Sequence, residues 1–105
     1  MELKDTIEMM NSEDYKERFK AEFYQTKIRY IKLCDVIKKY EEGTLEFKPG
    51  CPIDLLKEQA AYMFDYLYVL EDRADLEGIE GLRIGNVPGL ATHYSLVWED
   101  EKIND

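Results

Sequence analysis

Mostly apolar residues recur along this chain in steps of four and three. Phe19, Phe23, Thr26, Tyr30, Leu33, Ile37 and Tyr40 keep that rhythm in one stretch, and Leu56, Ala60, Met63, Leu67, Leu70 and Ala74 repeat it in a second. A stripe of this spacing turns one face of a helix toward a partner along its whole length. The pattern therefore predicts two long helices, over residues 12–42 and 52–77. The segment from Gly43 to Cys51 is too short to hold them apart, so they should fold back into an antiparallel hairpin.

The helix ends are written in local chemistry. Asn11 or Ser12 offers a side-chain oxygen to the exposed amides of the first long helix, and Glu13 and Asp14 sit where the helix dipole favours acids. Lys38 and Lys39 fall in its last turns before Gly43, a left-handed terminator. Pro52 suits the first turn of the second helix, where a missing amide costs nothing, and Gly78 should cap its end. Upstream, Leu3, Ile7 and Met10 have helical spacing, which suggests a short amphipathic N-terminal helix. Leu45 and Phe47 in the connection are expected to fold inward and close the end of the hairpin.

Beyond Gly78 the period changes. Leu82-Arg83-Ile84 precedes Gly85-Asn86-Val87-Pro88-Gly89, and then His93, Ser95 and Val97 alternate with Tyr94, Leu96 and Trp98. Turn residues between short apolar runs predict a small β-hairpin or extended arm over 81–98 that pairs with another subunit or packs on the helices. The expected fold is mainly α: a single domain over 1–105, with a short N-terminal helix, the hairpin and this arm.

Net charge is −9, but its distribution matters more than its total. Residues 12–42 carry eight Lys/Arg against seven Asp/Glu, whereas 51–80 carry only Lys57 and Arg73 against eight acids. The first helix is suited to hold an anion and the second repels one. Direct binding to duplex nucleic acid is disfavoured, because that affinity rests on neutralising phosphates. No run approaches the ~20 apolar residues that span a bilayer, and Met-Glu-Leu-Lys-Asp lacks the basic-then-apolar order of a signal peptide. A cytosolic protein with no membrane partner is expected.

Cys34 and Cys51 form no CxxC pair, and the single histidine, His93, stands far from both in sequence. Two reduced thiols are the simpler reading than a metal site, which usually gathers four closely organised ligands. No GxSxG, HExxH or phosphate loop is present, and paired acids such as Asp72 and Asp75 read as solvated surface. The expectation is a protein that is not an enzyme and needs no cofactor.

Tyr15, Arg18, Phe19 and Glu22 fall on one helical face, followed by Lys27, Arg29 and Tyr30. An aromatic ring beside a guanidinium suits a nucleotide, the ring stacking on a base and the cation meeting a phosphate. The same residues also serve as core or interface, since Phe19 lies on the apolar stripe. Eight tyrosines are many for 105 residues, and Tyr62, Tyr66 and Tyr68 crowd one stretch of the second helix. No single face buries all three, and tyrosine is favoured at interfaces. Self-association is therefore expected, with a partner protein as the other use.

The run Asp14-Tyr15-Lys16-Glu17-Arg18-Phe19-Lys20-Ala21-Glu22-Phe23 is followed by Lys27-Ile28-Arg29-Tyr30-Ile31-Lys32-Leu33, then Cys51-Pro52-Ile53-Asp54-Leu55-Leu56, and finally Met63-Phe64-Asp65-Tyr66-Leu67-Tyr68-Val69-Leu70-Glu71-Asp72-Arg73. Over residues 12–79 this resembles the small helical-hairpin proteins of bacteriophages, including those related to crAss-like phage proteins. It resembles in particular the hairpin of the anti-CBASS and Thoeris anti-defence sponges. The resemblance implies a homo-oligomer, often a hexamer, that holds a cyclic di- or trinucleotide or a cyclic ADP-ribose-type signal between subunits without hydrolysing it. It further implies that Tyr15 and Phe19 stack on bases, that Arg18 or Arg29 meets phosphate, and that Arg73 lines a second site. The arm from Gly81 to Trp98 departs from a bare hairpin. Two other classes remain open: an acidic inhibitor of a host defence nuclease, of the anti-CRISPR or nucleic-acid-mimic kind, and an oligomeric accessory phage protein.

Overall fold

The computed structural model describes residues 1–85. A 3₁₀ turn at Leu3–Thr6 leads into a short helix α1 (Ile7–Met10), followed by the long helices α2 (Tyr15–Glu42) and α3 (Ile53–Glu77). No strand occurs among the described residues. The two ends of the hairpin fix its direction: Tyr15 at the start of α2 bonds Glu77 at the end of α3, while Glu41 at the end of α2 faces Lys57 near the start of α3. The helices are antiparallel, as the stripe and the short connection require.

The core forms along the predicted stripe. Phe19, Phe23, Tyr30, Cys34 and Ile37 of α2 bury against Ala60, Leu67, Leu70 and Ala74 of α3. Tyr30 meets Phe64 across the interface, with ring centroids 6.0 Å apart. Ala60 and Ala74, the small residues of the α3 stripe, are fully buried. Leu33, Leu56 and Met63 pack at the margin, half-buried. Burial raises the Cys34 thiol pKa, with a hydrogen bond from Tyr30 pulling partly the other way; this thiol is core, and both cysteines are free.

Both helices end on glycine as expected. Gly43 has φ +76° and Gly78 φ +73°, and the next residues, Thr44 and Ile79, donate back to Lys39 and Ala74 at 2.9 and 2.8 Å. That bond from two residues past the end is the Schellman closure, which a Cβ in the left-handed region would strain. The start of α2 differs from expectation. The cap is Asp14, whose Oδ1 accepts from the Lys16 amide at 2.9 Å, while the Ser12 hydroxyl accepts from the Asp14 amide at 3.0 Å. Asn11 instead closes α1. The helix therefore begins at Tyr15, three residues later than predicted, because Ser12 shapes the approach to the cap.

One apolar expectation fails on solvent. Phe47 is exposed and only Leu45 is half-buried, so the connection does not plug the hairpin end. At the N-terminus Ile7 and Met10 are exposed and the buried residue is Thr6, whose hydroxyl donates to the Leu3 carbonyl at 2.7 Å and accepts from Gln25 Nε2 at 3.2 Å. A polar contact to the back of α2 thus sets the N-terminal packing. Ala21, one turn before Gln25, is fully buried yet stands outside the main core cluster.

The described start of the expected arm is a strap. Ile79, Leu82 and Ile84 bury into the hairpin core, and the backbone between them is held by side chains. Lys16 Nζ donates to the Gly78 carbonyl at 3.5 Å and Lys27 Nζ to the Arg83 carbonyl at 2.9 Å; the Ile84 amide donates to Glu71 Oε2 at 2.7 Å, and Arg83 pairs with Asp75 at 3.0 Å. Alternation at 82 and 84 reads as a strand, but these polar groups are satisfied by helix side chains rather than by a ladder. The rest of the predicted arm, 86–98, lies outside the described residues.

Leu82→Ala should cost about 2–5 kcal/mol, the range for emptying a fully buried leucine site. Ala21→Leu should cost about 1–3 kcal/mol by overpacking the contact behind α2. Ile7→Ala should stay within about 0.5 kcal/mol. Urea denaturation of the three variants checks the order, and an Ile7→Ala loss as large as that at Leu82 would show that the N-terminal turn buries more than its polar contact.

Candidate functional site

The antiparallel arrangement brings the last turns of α3 onto the first turn of α2. Tyr15 donates its hydroxyl hydrogen to Glu77 Oε1 at 2.8 Å and accepts from Arg73 Nη2 at 2.8 Å, while Arg73 Nε reaches Glu77 Oε2 at 3.1 Å. The three groups close a ring of hydrogen bonds in which both carboxylate oxygens have donors. Beneath it the Arg73 guanidinium lies 4.9 Å from the centroid of Phe19, and the Tyr15 ring meets Phe19 edge-on at 6.2 Å. A guanidinium over a ring is attracted by the negative π face and held flat by it. The cluster is an exposed cation with a fixed plane, flanked by an exposed phenol.

Its electrostatics follow from the ring of bonds. The carboxylate acceptor of Glu77 favours the protonated phenol, so Tyr15 titrates above its ordinary value, opposed by the nearby Arg73 charge. The same bond from Tyr15, with help from Arg73, holds Glu77 below the usual glutamate range. Arg73 is held more firmly protonated, chiefly through its bond to Glu77 and also by the charge of Glu22.

Of the residues singled out from sequence, Tyr15, Phe19 and Arg73 come together. Phe19 is buried and Arg73 covers its face, so it supports the cation rather than offering a free ring for stacking. Arg73, which the resemblance assigns to a second site, stands beside Tyr15 and Phe19. Arg18 turns away, donating from Nη1 to the Ser12 carbonyl at 2.7 Å and bracing the start of α2. Arg29 is exposed two turns beyond Glu22 and takes no part. Glu77 was not anticipated; its signal was the i,i+4 spacing from Arg73 at the very end of a helix.

A second surface runs into this cluster. Leu55, Tyr62, Tyr66, Val69 and Leu76 are exposed on the outer face of α3 in steps of seven, four, three and seven, and Leu76 is 89% exposed. Arg73 falls in the same stripe. Leu55, Glu58, Gln59, Tyr62, Met63 and Tyr66 line an open apolar groove at its start. Tyr68, two residues from Tyr66, points well round the helix from the stripe. Among the described residues, no helix is long and apolar enough to cross a membrane.

Two titrations bracket the cluster. Glu77's pKa is lowered by folding, so its stabilising contribution is complete above the glutamate's unfolded value and fades as pH falls through the folded one. Tyr15's pKa is raised, so its contribution is complete below the tyrosine's unfolded value and is lost as pH rises through the folded one. NMR titration of the Tyr15 ring should show it ionising above the ordinary tyrosine value and returning toward that value in Glu77→Gln. An unchanged titration curve in that variant would remove the Tyr15–Glu77 bond from this description.

No curated protein and no solved structure matches the chain at a significant level. The Sequestin family model matches residues 13–76, which takes in α2, the connection and α3 up to the residue before Glu77, with Tyr15, Phe19 and Arg73 inside the span. The family's name denotes sequestering, which fits a chain that holds a small molecule. By this match over well more than half its length, the chain belongs to the Sequestin family.

Proposed function

We propose that this protein sequesters a cyclic nucleotide signal of host immunity, a cyclic di- or trinucleotide or a cyclic ADP-ribose-type molecule, and releases it unaltered. The observation that carries the reading is the Tyr15–Phe19–Arg73 cluster within the family-matched hairpin. Arg73 supplies a bidentate donor plane for phosphate, stiffened from below by Phe19, and the half-exposed Tyr15 ring supplies a stacking surface for a base. No step of bond cleavage is assigned to any residue, and the protein acts by lowering free ligand. In a bacteriophage setting that would silence a host defence effector.

In this reading the protein works as a homo-oligomer. The outer stripe of α3 is apolar at heptad spacing over more than twenty residues, the signature of a helix seam, and it ends beside Arg73. A second copy seated along it would place its own side chains at the rim of the cluster and deepen a site that is shallow on one chain. Glu58, Asp65 and Asp72 follow one edge of the stripe. Acids meeting acids across a symmetric seam repel, so association should strengthen as salt screens them.

A second reading draws on that same acidic edge: the stripe and its acids could seat a basic partner such as a host nuclease. The two readings demand opposite charges. Under sequestration, Arg73→Ala should weaken uptake of a cyclic dinucleotide by roughly tenfold or more, through the loss of a charge-assisted bond, and Asp65→Lys with Asp72→Lys should leave uptake intact. Equilibrium dialysis followed by recovery of the ligand measures both. Uptake that survives Arg73→Ala, or ligand recovered in hydrolysed form, would reject the sequestration reading, and inhibition destroyed only by the acidic reversals would favour the partner reading. Native mass measurement of the full chain should give more than one copy per particle, reduced to one by Tyr66→Glu. A monomer at micromolar concentration in high salt would reject the seam.

A further inference from the structure

Arg73 is already engaged. In the free protein its Nε donates to Glu77 Oε2 and its Nη2 to the Tyr15 hydroxyl, and that hydroxyl completes the ring by donating to Glu77 Oε1. The carboxylate stands where an incoming anion would gain most, opposite a guanidinium edge and a phenolic hydrogen at once. It belongs to the chain, so its local concentration is high and fixed by the helix that carries both residues. Glu77 is the last residue of α3, directly before Gly78 in the left-handed conformation, so a change of its rotamer disturbs no further helical turn. It is also partly exposed, with water available to take it up when displaced.

We propose that Glu77 sets the affinity threshold of the cluster, an internal carboxylate that competes for Arg73 and Tyr15 so that phosphate still binds where carboxylate ligands do not. The inference rests on the reading of the cluster as an anion site. A carboxylate ligand exchanging for Glu77 trades like for like and loses its own freedom in doing so, so it gains nothing. A phosphate brings more acceptor oxygens than Glu77 offers. Arg73 has donor hydrogens left on Nη1 and Nη2 after its two bonds, and a phosphate can use these together with those that Glu77 gives up. Glu77 therefore lowers the affinity of every anion that displaces it by the same factor, a threshold that a phosphate clears through its additional contacts and a carboxylate does not. Its position one residue past the family-matched span makes this a property read from this chain's own geometry.

The test uses the full chain with pyrophosphate and succinate as probes, following the Arg73 side-chain Nε–H resonance by NMR. Glu77→Gln keeps a group of the same shape that still accepts from Arg73, and removes the competing charge. In the unaltered protein pyrophosphate should shift the resonance and succinate should not. In Glu77→Gln, pyrophosphate should bind roughly fivefold more tightly, the scale on which one exposed ion pair acts, and succinate should begin to register. Equal or weaker pyrophosphate binding in Glu77→Gln would overturn the proposal and leave the anion site standing, with Glu77 merely positioning Arg73. If the resonance responds to pyrophosphate in neither protein, the anion site itself fails, and the proposal with it.

Discussion

The antiparallel register of α2 on α3 is the constraint on which the rest of the structure depends. It is set by a stripe that buries Phe19, Phe23, Tyr30 and Ile37 against Ala60, Leu67, Leu70 and Ala74, with the connection between Gly43 and Ile53 turning the chain back. A shift of one turn would move α3 by about 5.4 Å along α2. Arg73 would then lose the Phe19 ring, and Tyr15 would lose both of its partners. Packing free energy of the core is thus converted into placement of a cation at the surface.

The strap and the N-terminal turn protect that register from two sides. Ile79, Leu82 and Ile84 add apolar burial to a pair of helices that would otherwise enclose little, and Lys16 and Lys27 of α2 anchor the strap's carbonyls. On the opposite face, Thr6 and Gln25 tie the 3₁₀ turn to α2 through hydrogen bonds. Three cations of α2 thus have structural tasks, Lys16 and Lys27 holding backbone and Arg18 bracing the helix start, while Arg73 of the acidic helix stands at the cluster.

The helices and their glycine ends were legible because periodicity and left-handed termini are local properties of the chain. The first cap was misplaced because Ser12, Asp14 and Asn11 are all competent cap residues and only the backbone path chooses among them. Leu82 and Ile84 read as a strand because alternation cannot report that lysine and glutamate side chains on the helices, rather than a neighbouring strand, satisfy the backbone between them. Tyr15 and Phe19 were visible as an aromatic pair beside cations, but the cation that joins them lies 58 residues from Tyr15. Folding the hairpin at its connection brings the late residues of α3 opposite residue 15, so register alone carried that information. Glu77 stayed hidden among many surface acids, since its role exists only once Tyr15 and Arg73 have met.

The central claim of the proposed function is that phosphate and base are received where Tyr15, Phe19 and Arg73 meet, within a hairpin that belongs to the Sequestin family. Its most direct test is mapping by NMR of the labelled full chain on addition of a cyclic dinucleotide. The account predicts that the largest perturbations fall on the Tyr15 ring, the Phe19 ring and the Arg73 guanidinium, with Arg29 and Lys32 on the far part of α2 unmoved. Perturbations centred on Arg29 and Lys32, with the Tyr15 and Arg73 resonances unchanged, would contradict it.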